Sequence, residues 1–375
     1  MNFWNLNILL SFVISAYLAG VFIPKILLIA FRKNLFDVPD ERKIHTSLVP
    51  RLGGIAFKPV IFFTLILLFG LNLTLGDGAM LDAAIEDVRS ISFVYCAIML
   101  LYMVGIGDDL VGIRYRAKFI LQIISAILLI AGGMYINDFH GLFAITELNV
   151  WFAYPFTILI VVFIINAMNL IDGIDGLASG LSSVAMIFYA IIFYIMGEYL
   201  YSLISVTTLG VLLPFFYYNV FGNPEKQKKI FMGDTGSLTI GTMICFLSFK
   251  MAMTAGNIGS AGFNPLILAF SPLLIPCLDV VRVYWGRVRR GNNPFLPDKT
   301  HIHHKLLAVG MCQHAAMITI LSVSVIFILG NILLSYYLNI TFILVLDILI
   351  WTLSNIWLTQ KRKAIEDRCV KEIIK

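Results

Sequence analysis

Asn166, Asn169, Asp172 and Asp175 recur at intervals of three within the stretch Asn166-Ala-Met-Asn-Leu-Ile-Asp-Gly-Ile-Asp-Gly-Leu-Ala-Ser-Gly180. Two carboxamides and two carboxylates follow directly on Trp151 to Ile165, a run without a charge. A polar cluster at the end of an apolar span is costly unless it faces water, a partner or a ligand. Residues three apart lie near one another on a helix surface. Gly173 and Gly176 weaken the helix there and let backbone come close to something. Oxygen ligands of this kind suit a hard cation and the phosphates it neutralises. The stretch reads as one wall of a metal and phosphate site at a membrane surface.

Three further clusters offer related chemistry. Asp108-Asp109 ends an apolar run; adjacent carboxylates at a helix end bind a divalent cation or act as a base, and also simply mark where a span emerges. The aspartate-rich pattern of prenyl synthases needs a third Asp three residues after the second, where Gly112 stands. Gly233-Asp234-Thr-Gly-Ser237 opens another run. An Asp there holds a cation while backbone N–H groups meet phosphate, or it caps the helix. His301-Ile-His303-His304 follows Arg287-Val-Arg-Arg290 in one loop. No Cys or Glu in that loop completes a zinc set, which leaves anion binding by Arg and His or a solvated basic loop. Lys118, ten residues beyond Asp108, reads as a lipid-phosphate contact or a snorkelling anchor.

The elements that must position these groups are helices in a membrane. Of 375 residues, 59% are hydrophobic and 13% charged, against about 25% charged in soluble domains; mean hydropathy is +0.90. Apolar runs long enough to cross a bilayer, about 17–25 residues, fall near 5–31, 53–75, 91–107, 117–136, 151–171, 177–196, 199–221, 236–256, 262–285, 314–337 and 339–358. The expected fold is all-α, a polytopic membrane protein of about eleven transmembrane helices. The first run reads as a retained span. Residues 1–358 form one transmembrane domain and 359–375 a basic tail lying against anionic lipid.

Loops 32–58, 108–118, 221–232 and 286–313, with Arg282 and the tail, carry 24 of the 27 Lys and Arg. The positive-inside rule makes that side cytoplasmic, with the N-terminus outside and the C-terminus inside. Every cluster named above falls on the basic side. A channel or carrier should instead carry polar groups along a path through the bilayer. Only Asp347 stands clearly at mid-span, where it reads as a hydrogen bond to a neighbouring helix or, second, as a proton or lipid contact. Asp279 and Arg282, three apart in a span broken by Pro265, Pro272 and Pro276, are spaced to pair. The five cysteines show no paired spacing and indicate neither disulfides nor a metal site.

The clusters also occur in an order that is familiar. Asp37-Val-Pro-Asp-Glu-Arg-Lys-Ile-His45, Pro50-Arg51-Leu-Gly-Gly54, Gly107-Asp-Asp109, Asn166 to Leu177, Phe231-Met-Gly-Asp-Thr-Gly-Ser237 and His301-Ile-His-His304 together resemble the polyprenyl-phosphate N-acetylhexosamine-1-phosphate transferases, glycosyltransferase family 4. The resemblance implies about ten or eleven transmembrane helices around a cytoplasmic cleft in the inner (plasma) membrane. It implies transfer of a sugar 1-phosphate from a UDP-sugar to undecaprenyl phosphate, with release of UMP, as a first membrane step of cell-envelope polysaccharide synthesis. The peptidoglycan branch, which transfers phospho-MurNAc-pentapeptide, has three consecutive histidines; Ile302 breaks that pattern here. The chain is therefore similar to the branch that uses UDP-GlcNAc or a close relative.

The same resemblance distributes roles. Asn169 and Asp234 are implied for the metal, Mg²⁺ with Mn²⁺ as the alternative. Asp108 is implied as base or lipid-phosphate orienter, with Asp109 beside it. Asp172 and Asp175 are implied for the nucleoside or the metal shell, and Asn166 for substrate. Arg287, His301, His303 and His304 are implied for the sugar diphosphate, and Lys118, His45 and Arg51 for phosphate contacts. The expected partners are the UDP-sugar, undecaprenyl phosphate and membrane lipid, with a homodimer as a further expectation and no nucleic acid. A lipid phosphatase and a lipid or nucleotide-sugar carrier are the rival readings.

Overall fold

The structure is a computed structural model that describes residues 3–36, 49–254, 263–291, 293 and 300–373. His45 and the segment around it lie outside the described residues. The long helices are α1 (Phe3–Arg32), α2 (Phe57–Thr74), α4 (Val88–Val111), α5 (Tyr115–Ala131), α6 (Val150–Leu170), α7 (Leu177–Ile195), α8 (Tyr199–Val220) and α9 (Gly233–Met253). After these come α10 (Pro265–Phe270) and α11 (Leu274–Arg289), joined by a 3₁₀ turn, then α12 (Ile302–Ala308), α13 (Gln313–Ser335) and α14 (Ile340–Ile373). A short helix α3 (Ala79–Glu86) occupies the acidic loop before α4.

The chain is an all-α polytopic membrane protein. Among the described residues ten helices, with α10 and α11 counted as one, are long and apolar enough to cross a membrane. The eleventh expected span is α5, which at 17 residues is about 25 Å long at 1.5 Å per residue. The gaps between the runs 177–196 and 199–221 and between 314–337 and 339–358 fall where α7 gives way to α8 and α13 to α14. α14 runs unbroken into the basic tail as far as Ile373.

α9 is the central helix. Every residue from Thr235 to Phe249 is buried, as expected of a helix surrounded on all sides. In lipid there is no hydrophobic gain from helix association, so close packing of small residues must supply it. α9 accordingly carries Thr, Ser and Gly, and the hydroxyls of Thr239, Thr242 and Ser248 donate to carbonyls four residues back at 2.6, 2.8 and 2.8 Å. α4 and α6 pack directly on α9. α1 buries Asn7, Ser11, Ser15, Ala19, Ile23 and Leu27, a stripe at every fourth residue laid against α8.

One sequence inference changes at α6. The spacing of three suggested one continuous helical row from Asn166 to Asp175. The helix stops at Leu170, and α7 begins after Gly176, whose φ of +77° suits glycine alone. Asp172 and Asp175 therefore sit in the half-buried break between two helices rather than on a helix face.

Candidate active site

The site forms where four helix ends meet. α4 delivers Asp108 and Asp109 in its last turn, α5 delivers Lys118 in its first, α6 delivers Asn169 in its last, and α9 delivers Asp234 in its first. The α4–α9 approach depends on Gly105: a Cβ there would overlap the Thr235 backbone. One turn later along α4, Asp108 and Asp109 arrive at the start of α9.

The two adjacent aspartates have different surroundings. Asp109 accepts from the backbone N–H groups of Asp234 and Thr235 at 2.8 and 2.9 Å and from the Thr235 hydroxyl at 2.6 Å. It caps the orphan amides at the N-terminus of α9. Asp108 accepts from the Ile113 N–H at 2.7 Å and from Lys118 Nζ at 2.7 Å. Lys118 Nζ also lies 2.5 Å from Asp234 Oδ2, so one ammonium bridges two carboxylates. Asn169 donates to Asp234 Oδ1 at 3.1 Å and to Ser237 Oγ at 2.8 Å. Candidate ligand oxygens of Asp108, Asp109 and Asp234 lie within 4.8 Å of one another. Three carboxylates that close suit a hard divalent cation. Asn169 supports Asp234 in this arrangement.

Asp175 pairs with Lys229 at 2.5 Å, which ties the break between α6 and α7 to the Lys-rich loop before α9. Asp172 has its carboxyl raised to about 7, first by burial and then by the negative charge of Asp175, with Arg51 opposing. Arg51 is exposed, and its neighbours are fixed by backbone: Phe231 N donates to Pro50 O at 2.9 Å, and Gly53 N and Gly54 N donate to Phe231 O and Met232 O at 3.0 and 2.9 Å. The Pro50–Gly54 motif is thereby laced to the start of α9.

The histidine segment packs against the break between α6 and α7. The His303 ring lies directly against Gly173, where a Cβ would overlap it. His301 Nδ1 lies 2.8 Å from Asp279 Oδ2, and Asp279 Oδ1 accepts from Ile302 N at 3.1 Å and Arg282 Nη2 at 2.6 Å. The expected Asp279–Arg282 pair is present and has a purpose the spacing did not reveal: it anchors the first turn of α12. Burial and the adjacent His304 and His301 hold His303 down at about 3, so its ring is neutral. Arg287 is buried in the last turn of α11.

Asn166 takes a different place. Its Nδ2 donates to Gln122 Oε1 at 2.6 Å and to Val162 O at 2.7 Å, a clasp between α5 and α6. Asp347 accepts from Asn331 Nδ2 at 2.9 Å, the interhelical hydrogen bond expected of it. Lys229 joins the site without a sequence signal, and the roles of Thr235, Ser237 and Asp279 there come from tertiary contacts that spacing does not give.

Residues 91–252 match the family model described as glycosyl transferase family 4. The chain is 30% identical over 330 residues to a protein named probable undecaprenyl-phosphate N-acetylglucosaminyl 1-phosphate transferase from Bacillus subtilis (strain 168), covering 88% of this chain and 85% of that one. The chain belongs to glycosyl transferase family 4. It is also 30% identical over 323 residues, 85% of this chain and 82% of the relative, to the undecaprenyl-phosphate alpha-N-acetylglucosaminyl 1-phosphate transferase of Yersinia pestis. The enzyme of that name from Escherichia coli (strain K12) is 29% identical over 294 residues, 78% of this chain and 74% of its own. The glycosyl transferase family 4 match takes in Asp108, Asp109, Lys118, Asn169, Asp172, Asp175 and Asp234, whereas Arg51 and the histidine segment lie outside it.

Proposed function

We propose that this membrane protein transfers N-acetylglucosamine 1-phosphate from UDP-GlcNAc to undecaprenyl phosphate, releasing UMP. The observation that carries the reading is the meeting of Asp108, Lys118 and Asp234 at one point, with His303 resting on Gly173 beside it. Asp108 and Asp234 are brought onto one ammonium from far apart in the chain. The relatives' names supply the substrates. The site lies on the cytoplasmic face of the plasma membrane, supported by the basic loops that surround it.

The reaction proceeds in one step. An oxygen of the lipid phosphate attacks the sugar-bearing β-phosphorus, a new P–O bond forms, and the bond to the bridging oxygen breaks, so UMP leaves with that oxygen. Lys118 orients the lipid phosphate next to Asp108. A lipid phosphate is already largely ionised near pH 7, its second pKa being about 6, so Asp108 contributes placement more than proton removal. Asp108 and Asp234, with Asp109 behind them, would hold Mg²⁺, which when bound would supply charge neutralisation for the diphosphate. Asp172 and Asp175 face the nucleoside side, and Arg287 with the histidines receives the sugar diphosphate.

The test uses purified protein, Mg²⁺, undecaprenyl phosphate and a panel of UDP-sugars, with UMP release as the readout. UMP should appear with UDP-GlcNAc. Absence of UMP with every UDP-sugar in the panel overturns the transferase reading, and release only with UDP-MurNAc-pentapeptide moves the chain to the peptidoglycan branch.

A further inference from the structure

α14 leaves much of its surface uncovered, with Leu353, Ile356 and Trp357 all exposed. It is tied to the body by polar bonds at three levels. Thr341 Oγ1 accepts from Phe143 N at 2.7 Å, Asp347 from Asn331 at 2.9 Å, and Asn355 Oδ1 and Thr359 Oγ1 accept from Lys305 Nζ at 3.2 and 3.1 Å. The first two levels hold α14 to an outer loop and to α13. The third holds it to α12, the turn that carries His303 and His304.

α12 has only seven residues, far fewer than the roughly 12–15 at which an isolated helix becomes even marginal. Its position must come from outside. Asp279 pins its first turn through Ile302 and His301. Lys305 pins the other side to α14. Both acceptors are themselves locked: Asn355 Nδ2 donates to Trp351 O at 3.0 Å, and the Thr359 hydroxyl donates to Asn355 O at 2.7 Å. Between the two pins, the His303 ring presses on Gly173 in the Asp172–Asp175 segment. Among the described residues Lys305 Nζ hydrogen-bonds the neutral oxygens of Asn355 and Thr359, which holds the turn next to His304 against α14.

We propose that Asn355 and Thr359 are positioning residues for the histidine turn, acting through Lys305, so that the last helix of the chain sets the affinity for the sugar nucleotide. The proposal rests on the functional reading given above for the identity of that ligand.

The test compares the full-length protein with the double variant Asn355→Leu, Thr359→Val and, separately, with Lys305→Met. KM for UDP-GlcNAc should rise on the order of tenfold, equivalent to about 1.4 kcal/mol. kcat and KM for undecaprenyl phosphate should stay unchanged, the signature of lost ground-state binding at one substrate. Thr359→Ser, which keeps the hydroxyl, should behave as wild type. A second readout needs no turnover: labelling of His304 by diethyl pyrocarbonate, followed by mass spectrometry, should be faster in both Lys305→Met and the double variant. An unchanged KM for UDP-GlcNAc, or a joint loss of kcat and both affinities with a lowered melting temperature, overturns the proposal. If the wild type releases no UMP, the functional reading fails and the labelling still decides the positioning; equal labelling rates overturn it.

Discussion

Asp109 grips Thr235 twice, taking the backbone N–H at 2.9 Å and the hydroxyl at 2.6 Å on the same carboxylate oxygen. Its other oxygen takes the Asp234 N–H at 2.8 Å. Asp109 therefore fixes the turn that presents Asp234. Hydrogen bonds to a charged group contribute about 1.5–3 kcal/mol each. Asp109→Asn should lower both the melting temperature in detergent and turnover, whereas Thr235→Val, which removes only the hydroxyl, should do less of each. Equal effects from the two variants would contradict the capping role.

Asp108 and Asp234 share one ammonium and face the same space, so neither substitutes for the other. Asp108→Asn and Asp234→Asn should each reduce turnover by at least about a hundredfold, the scale of losing one electrostatic catalytic group. Both variants should in addition raise the Mg²⁺ concentration needed for half-maximal rate. Near-normal UMP release from either variant would reject the assignment.

Lys118 adds a distinct expectation. Without its ammonium the two carboxylates repel, and the lipid phosphate loses its nearest cation. Lys118→Met should raise KM for undecaprenyl phosphate more than KM for UDP-GlcNAc, and Lys118→Arg should recover part of the loss. A change confined to the sugar nucleotide would place Lys118 on the other substrate.

The helices were legible because apolar runs in lipid have one outcome, and short interruptions such as Gly197-Glu198 are enough to separate two of them. The ionisable groups of the site were legible as local clusters. What the clusters do to one another was not. Asp108 and Asp109 are neighbours in sequence, yet one faces Lys118 and the other caps α9, a difference set by helix rotation against Thr235. Asn166 fits the row of three but lies where Gln122 of α5 takes its amide. Asp279 could be matched to Arg282 by spacing, while its hold on His301, 22 residues away, exists only once the chain folds back. The grip of α14 on Lys305 has no local signal, since Asn355 and Thr359 read as ordinary polar residues near the end of a span.

Gly105 tests the helix contact on which the cluster depends. A methyl group there would overlap the Thr235 backbone, which a helix as enclosed as α9 cannot yield without moving. Gly105→Ala should push α4 from α9 and separate Asp108 from Asp234. Turnover should fall together with melting temperature, while Gly70→Ala, where nothing lies near the added carbon, should leave both intact. An active, stable Gly105→Ala protein would show that the approach is not required.

His303 should make the fold sensitive to acid. Its ring is held at about 3 in the folded protein, chiefly by burial, while a free histidine titrates near 6.5. Below about pH 6.5 the unfolded chain takes up a proton that the native ring refuses, so protons favour unfolding. The stability is fully present above that pH and declines as pH falls toward 3. At 1.36 kcal/mol per unit, the loss reaches about 3 kcal/mol by pH 4.5. Melting temperatures in detergent between pH 7.5 and 4.5 should therefore fall more steeply for the wild type than for His303→Gln, which has no proton to gain. Parallel curves would mean that the ring charges within the fold, and that the contact with Gly173 opens to admit water.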